Sequence, residues 1–245
     1  MCRQSILFYE REGKTADRYE SKDFWESRYH RERMKAIWSI LRGLMKPADI
    51  FLDAGCGTGE YLLLVNRVPN VDAYGVDVST SYLRRARASG TQVIRADVLH
   101  LPFRDAVFQV VLCSEVLEHI AAPMAAAREL FRTAHRCVIV SSPNFGVLRF
   151  ITRIIFPGLV DQLDRSVGHV SIEKIGRLSK ELVGGRWRLK LRRTLHVAPP
   201  YLSRLRIPPS FARPTYLAEK ALEAFLPLLG NVSILVFGAS PEQDL

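Results

Sequence analysis

No apolar run in this 245-residue chain reaches membrane-spanning length. The best candidate, Val147 to Val160, is broken by Arg149, Arg153 and Pro157. The opening residues, MCRQSILFYEREGK, lack the long apolar core of a signal peptide and soon meet acids. Cysteine is scarce: Cys2, Cys56, Cys113 and Cys137 are widely spaced and form no CxxC pair. They read as free thiols in a cytoplasmic protein, with Cys113 and Cys137 on predicted core strands. Internal repeats and low-complexity tracts are also missing, so the chain is not a repeat array. What is present is ordinary for a globular protein, 48% hydrophobic and 24% charged. The length suits one large α/β domain with insertions.

The net charge of +10 is unevenly placed. Between Arg136 and Pro214 there are 15 Lys/Arg against 4 Asp/Glu, an excess of +11 that leaves the rest near neutral. Such a concentration suggests an anionic partner: nucleic acid, an anionic substrate or an acidic membrane surface. A second reading stands beside it. In 186–193, RWRLKLRR, the bases Arg186, Arg188, Lys190 and Arg192 alternate with Trp187, Leu189 and Leu191. That pattern is a half-buried strand with a basic outer face, which also guards an edge against unwanted pairing.

Residues 1–46 read as an N-terminal helical cap, with Met34, Ile37, Trp38 and Leu41 on one face and Pro47 ending the helix. From Asp49 onward short apolar runs alternate with helices, as a parallel sheet of βαβ units requires. The predicted strands are 50–54, 72–77, 91–96, 108–113 and 136–142. Helices are expected at Glu60–Asn66, at Thr80–Ala88 behind a Ser79 cap, and at Pro123–Thr133. After SSPN (141–144) comes an apolar and basic insertion, 145–170, where Leu148, Ile151 and Ile155 share a helical face. It reads as a small lid, a membrane-lying patch or a helix packed on the sheet. A helix at 171–183 opening on Ser171, the basic strand, a second insertion over 198–230 and a last strand at 232–239 complete the pattern.

A glycine turn directly after a strand lets backbone approach a ligand and aims the next helix's N-terminus at it. Here the turn carries Gly55, Gly57 and Gly59, within LDAGCGTGE (52–60). The dinucleotide GxGxxG pattern needs its third glycine one residue later. Asp77 follows about twenty residues on, at the end of the second strand, where a carboxylate accepts from ribose hydroxyls. Asp97, with the backbone N–H of Val98, stands just after the third strand, placed to grip an adenine edge.

LDAGCGTGE, YGVDVS, RADVLHLPF and FQVVLCSEVLEHI together resemble the successive motifs of class I, Rossmann-like methyltransferases that use S-adenosylmethionine. Closer likenesses are to the methyltransferase type 11 and ubiquinone-biosynthesis O-methyltransferase groups. The resemblance covers roughly residues 30–240. It implies a seven-stranded, mostly parallel sheet of order 3-2-1-4-5-7-6, with helices on both faces, spanning 47–245. It further implies that Asp53, Ala54, Gly55, Cys56, Gly57 and Gly59 hold the methionine moiety. Asp77 and Val78 would take the ribose, Asp97 and Val98 the adenine, and Ser114 with Glu115 would border the sulfonium.

On the acceptor side, Glu115, Glu118 and His119 are spaced i, i+3, i+4, which predicts one side of a helical turn at the end of the fourth strand. His169, in VGHVSIEK, is expected to close over the same spot. In the ubiquinone O-methyltransferases and the enzymes that 2′-O-methylate small-RNA ends, matching residues bind a divalent ion. By that resemblance Glu115, Glu118, His119 and His169 would be the ligands; a metal-free site with His119 as base is the favoured reading. No NPPY-like amide-methylating motif follows the fourth strand. The Glu/His cluster makes a hydroxyl the expected acceptor, and the apolar insertion with the basic segment beside it points to a small or lipid-like molecule. An RNA ribose or tRNA base is the alternative, and a non-catalytic cofactor-binding subunit a further one.

Overall fold

The alternation of short apolar runs and helices builds a seven-stranded sheet in the order β3-β2-β1-β4-β5-β7-β6. The strands are β1 (Ile50–Ala54), β2 (Asp72–Asp77), β3 (Gln92–Arg95), β4 (Phe108–Ser114), β5 (Ala134–Pro143), β6 (Trp187–Leu195) and β7 (Val232–Ala239). Strand β7 runs antiparallel to both β5 and β6, and the other pairings are parallel. The helices are α1 (Phe24–Leu44), α2 (Glu60–Val65), α3 (Thr80–Ala88) and α4 (Pro123–Thr133). This computed structural model describes residues 24–143, 153–155, 158, 162, 168–171, 181, 185–195, 214, 217–218, 220–221, 230 and 232–240. The first 23 residues and most of the predicted lid, of the predicted helix at 171–183 and of the 198–230 insertion lie outside the described residues. Among the described residues no helix is long and apolar enough to cross a membrane.

Both faces of the sheet are covered. Phe51, Ile139 and Val236 pack against Ile37 and Leu41 of α1, Leu62 and Val65 of α2, and Leu83 of α3. On the other face Leu52, Val111, Val138 and Phe237 meet Ala126, Leu130 and Phe131 of α4. Each large aliphatic side chain so buried contributes about 1.5–3 kcal/mol. Local signals fix the helix starts. Ser79 accepts from the Tyr82 N–H as the α3 cap, and Pro123 sits in the first turn of α4.

The single-faced alternation expected for the basic strand does not hold. The register of β6 shifts between Leu189 and Leu191, so Leu189 lies opposite Phe237 but Leu191 opposite Val236. One inserted residue, Lys190, reverses which side chains face which way, as a β-bulge does. Arg192 is thereby moved away from the face that carries Arg188.

The end of α1 is tied into the sheet by ions. Arg136 of β5 donates to Asp49 (Nη1–Oδ1 2.8 Å) and to the Leu44 carbonyl (2.8 Å), and the Lys46 N–H donates to Asp49 Oδ2 at 2.7 Å. Burial alone would raise the Asp49 pKa, but these bonds outweigh it and hold the carboxyl below its usual value. The folded pKa being depressed, this stabilisation is present above the unfolded carboxylate pKa and is lost as pH falls through the folded one. Arg136→Met is expected to cost about 1–3 kcal/mol at neutral pH, since it leaves a buried carboxylate under-partnered. Urea melts should show the difference shrinking as the pH is taken below the carboxylate range.

Candidate active site

The glycine turn leaves β1 and is fastened to the end of β2. The N–H groups of Gly55 and Cys56 both donate to the Val76 carbonyl, at 2.8 and 2.9 Å. All three glycines have positive φ, 86° at Gly55, 52° at Gly57 and 88° at Gly59. Their reasons for being glycine differ. A Cβ on Gly55 would stand 2.3 Å from Val116 Cγ2, whereas a Cβ on Gly57 would meet nothing within 4 Å. Gly55 therefore serves packing, and Gly57 faces open space of the kind a ligand fills. Gly55→Ala is expected to cost more than about 2 kcal/mol in stability, from overpacking added to left-handed strain. Gly57→Ala should cost only about 1 kcal/mol, and its larger effect should fall on S-adenosylmethionine affinity. Thermal melts with and without that compound separate the two.

Asp77 organises the turn. Its Oδ2 accepts from the Gly57 N–H at 2.9 Å and its Oδ1 from the Ser79 N–H at 2.8 Å. Beside it Asp53 is 1% exposed, and its Oδ2 has no hydrogen-bond partner. Burial, then the charges of Glu60 and Asp77, push its pKa well up. An orphaned buried carboxylate oxygen is a site for a cationic group, such as the α-ammonium of a methionine moiety. Ala54 is buried in the sheet core. The Cys56 thiol turns inward against Gly75, and burial drives its pKa far up, so only the backbone of Cys56 belongs to the turn. Asp97 closes a tight turn, accepting from the Leu99 N–H at 3.0 Å, while the Val98 side chain is core. The Val78 carbonyl accepts from Arg95 Nε, and Ser114 Oγ lies 2.9 Å from Ser141 Oγ.

The acceptor-side residues depart from the predicted helical face. Glu115 adopts φ 56° and is followed by a single 3-10 turn, Leu117–His119, not an α-helix. The left-handed residue turns Glu115 away from its neighbours. Its carboxylate receives Tyr29 Oη at 3.3 Å and Ser141 Oγ at 3.0 Å, and pairs with Arg33 Nη1 at 3.3 Å. Burial and the Glu115 charge raise the Tyr29 pKa well above its usual value, so the phenol stays a donor. Glu115 therefore leaves the set of four expected around one ion.

The other three converge. Ligand atoms of Glu118, His119 and His169 lie within 4.8 Å of one another. His119 Nδ1 is 3.0 Å from the Gly168 carbonyl, which only accepts, so Nδ1 carries the hydrogen and, in a neutral ring, Nε2 is the unprotonated nitrogen. That nitrogen is 3.9 Å from Glu118 Oε1. Glu118 is fully buried, and neither side-chain oxygen has a hydrogen-bond partner. Burial, then the Glu115 charge, raises its pKa well above the usual carboxylate value. His169 is brought in by backbone: the N–H groups of Val170 and Ser171 donate to the Glu118 carbonyl at 2.7 and 3.1 Å. Ser171 Oγ adds a bond to the Leu117 carbonyl at 2.9 Å.

Tyr29, Arg33 and Ser141 escaped the sequence reading as site residues. The first two stand i, i+4 on α1, one turn before buried Ile37, and that spacing was the available signal. Nothing local marks Ser141, which meets Glu115 only because β4 and β5 are paired.

A profile of the methyltransferase domain family matches residues 52–137. Among curated proteins, the chain is 30% identical over 113 residues to "Probable tRNA methyltransferase 9B" of Bos taurus, covering 44% of this chain and 24% of that one. It is 38% identical over 87 residues to the malonyl-[acyl-carrier protein] O-methyltransferase of Herminiimonas arsenicoxydans, covering 35% of this chain and 33% of that one. The chain thus spans about a quarter to a third of the length of these relatives. Among solved structures, magnesium protoporphyrin IX methyltransferase from Synechocystis PCC 6803 with bound SAH superposes with TM-score 0.64 at 17% identity. That match covers 96% of this chain and 98% of the other.

Proposed function

From the premise that this chain carries a methyltransferase domain on the class I, Rossmann-like fold, we propose that it transfers the S-adenosylmethionine methyl group to a hydroxyl oxygen of a small or lipid-like acceptor. Asp53 takes the ammonium of the methionine moiety, a cationic donor that its orphaned oxygen suits. The Gly55–Gly59 turn gives that moiety room. Asp77 accepts from the ribose, with Val78 beside it, and Asp97 and the Val98 N–H hold the adenine. Ser114 and Glu115 border the sulfonium.

The bound donor supplies an electrophilic methyl group and a neutral thioether leaving group. The protein's own part is alignment and removal of one proton. As the new O–C bond forms and the C–S bond breaks, His119 Nε2 takes the hydroxyl proton. The Gly168 carbonyl steadies the imidazolium through Nδ1–H. The observation that carries this reading is the 3.0 Å contact of His119 Nδ1 with the Gly168 carbonyl, which supports Nε2 as the basic nitrogen of a neutral ring. The test is incubation of the protein with methyl-labelled donor and separate lipid, small-metabolite and RNA fractions. Label in lipid or metabolites supports the reading. Label in RNA replaces the acceptor class, and none in any fraction favours a cofactor-binding subunit without turnover.

The unpartnered Glu118 carboxyl favours a second reading, in which a divalent ion is held by Glu118, His119 Nε2 and His169. One carboxylate and two imidazoles fit Mn, Co or Zn better than Mg. Such an ion would lower the acceptor hydroxyl's pKa. Calorimetric titration with Mn²⁺ or Zn²⁺ is then expected to show one site that Glu118→Gln weakens at least about tenfold, the scale of losing one ligand charge. No heat of binding at millimolar metal removes this reading and leaves the metal-free one.

A further inference from the structure

Among the described residues strand β6 is an edge of the sheet, hydrogen-bonded to β7 alone. Four of its nine residues, Arg188, Lys190, Arg192 and Arg193, are exposed cations, and it holds no acid. Among the described residues none of the four forms an ion pair. Arg188 donates to the backbone carbonyls of Gly185 and Trp187, at 2.8 and 3.0 Å. The bulge at Lys190 decides which of them share a face. Arg188 lies opposite Gly238, Leu191 opposite Val236 and Arg193 opposite Ile234, all on one side of the sheet. The Lys190 stem crosses to the same side, its Cγ 3.0 Å from where a Gly238 Cβ would stand. At the centre of these cations Leu191 is 41% exposed. The stripe also leads toward the site. Its Leu195 end pairs with Val232, which pairs with Pro143 at the carboxyl end of β5.

Charge at an edge strand is enough by itself to discourage strand addition. It does not call for an exposed leucine ringed by cations. A nucleic acid would use the cations, but the strand offers it no ring to stack on. Trp187 is buried, covered by Phe131 (centroids 5.0 Å apart) and by Arg186 (5.1 Å). The same basic third of the chain contributes Ile154, Ile155 and Val170, each more than half exposed. Aliphatic side chains beside unneutralised cations are what an anionic bilayer surface takes up.

We propose that the β6 face formed by Arg188, Lys190, Leu191 and Arg193 docks the protein on anionic lipid bilayers. The cations take phospholipid phosphates and Leu191 enters the interfacial layer. Vesicle binding needs neither cofactor nor acceptor, so this inference stands or falls apart from the methyl-transfer reading. The experiment is co-sedimentation of the full chain with phosphatidylcholine vesicles and with vesicles containing about one-third phosphatidylglycerol, at roughly 0.1 M salt. Wild type is expected to prefer the anionic vesicles by at least about tenfold. The variant R188Q/K190Q/R193Q should lose roughly a hundredfold, at about fivefold for each cation. Leu191→Ser should weaken vesicle binding a few-fold while leaving binding to bulk tRNA unchanged. Equal binding to both vesicle types overturns the proposal. So does an unaltered affinity of the triple variant, including the case where that variant merely aggregates and its soluble fraction still binds. Displacement from vesicles by equimolar tRNA, with Leu191→Ser indistinguishable from wild type, also overturns it in favour of a nucleic-acid surface.

Discussion

Asp77→Ala is expected to raise the Kd for S-adenosylmethionine by at least about a hundredfold, measured by isothermal calorimetry. The carboxylate would lose two charge-assisted bonds to ribose hydroxyls, each worth about 1.5–3 kcal/mol, and every 1.4 kcal/mol is tenfold in Kd. A second loss adds to this. The same side chain holds the Gly57 and Ser79 N–H groups, so its removal also releases the glycine turn from the end of β2. Asp77→Asn keeps one acceptor oxygen and should fall between, near tenfold. The stability of the fold should change little by comparison, because Gly55 and Cys56 remain fastened to the Val76 carbonyl. A Kd within threefold of wild type would sink the assignment of this cleft to the donor.

His119→Ala should leave donor affinity within about threefold while lowering kcat by about 10²–10⁴, the range lost with a positioned general base. The assay is transfer of labelled methyl to whichever fraction the wild-type protein labels. A thermal melt run alongside guards against a simple loss of the bond to Gly168. His119→Gln keeps the volume without an imidazole's basicity, so it should be nearly as slow as alanine. If either variant turns over at the wild-type rate, the base lies elsewhere. Glu115→Ala probes a different contact, since Glu115 is bound by Tyr29, Arg33 and Ser141 and lies outside the cluster around His119. Its effect should therefore not mimic that of His119→Ala.

The two halves of the site differed in how far they were legible beforehand. The donor side is written in consecutive residues: a strand, a turn that needs positive φ, and a carboxylate at the next strand's end. Local rules reach its secondary structure, and Ser79 caps the helix where the pattern puts it; that Asp77 also anchors the turn through the Gly57 N–H is visible only in the structure. The acceptor side is different. An i, i+3, i+4 spacing predicts one helical face only if the segment is helical, and Glu115 at φ 56° breaks that condition. The basic strand misled in a related way. Alternation assigns faces correctly until one residue is inserted, and the bulge at Lys190 leaves no mark in RWRLKLRR itself.

The alternating apolar runs were sufficient on their own for a mostly parallel sheet with helices between its strands, while the strand order that the structure shows came from the resemblance carried by LDAGCGTGE and the motifs after it. The alternation follows from backbone geometry and from burial on both faces of parallel strands, which are local and periodic. Only the tertiary structure decided that Glu115 belongs to Tyr29 and Arg33 of the N-terminal helix, while Glu118 and His119 belong with His169. Those partners lie 86, 82 and about 50 residues away along the chain. What joins them is strand pairing, a left-handed residue and backbone bonds from 170–171 to the Glu118 carbonyl, none of which a sequence pattern encodes.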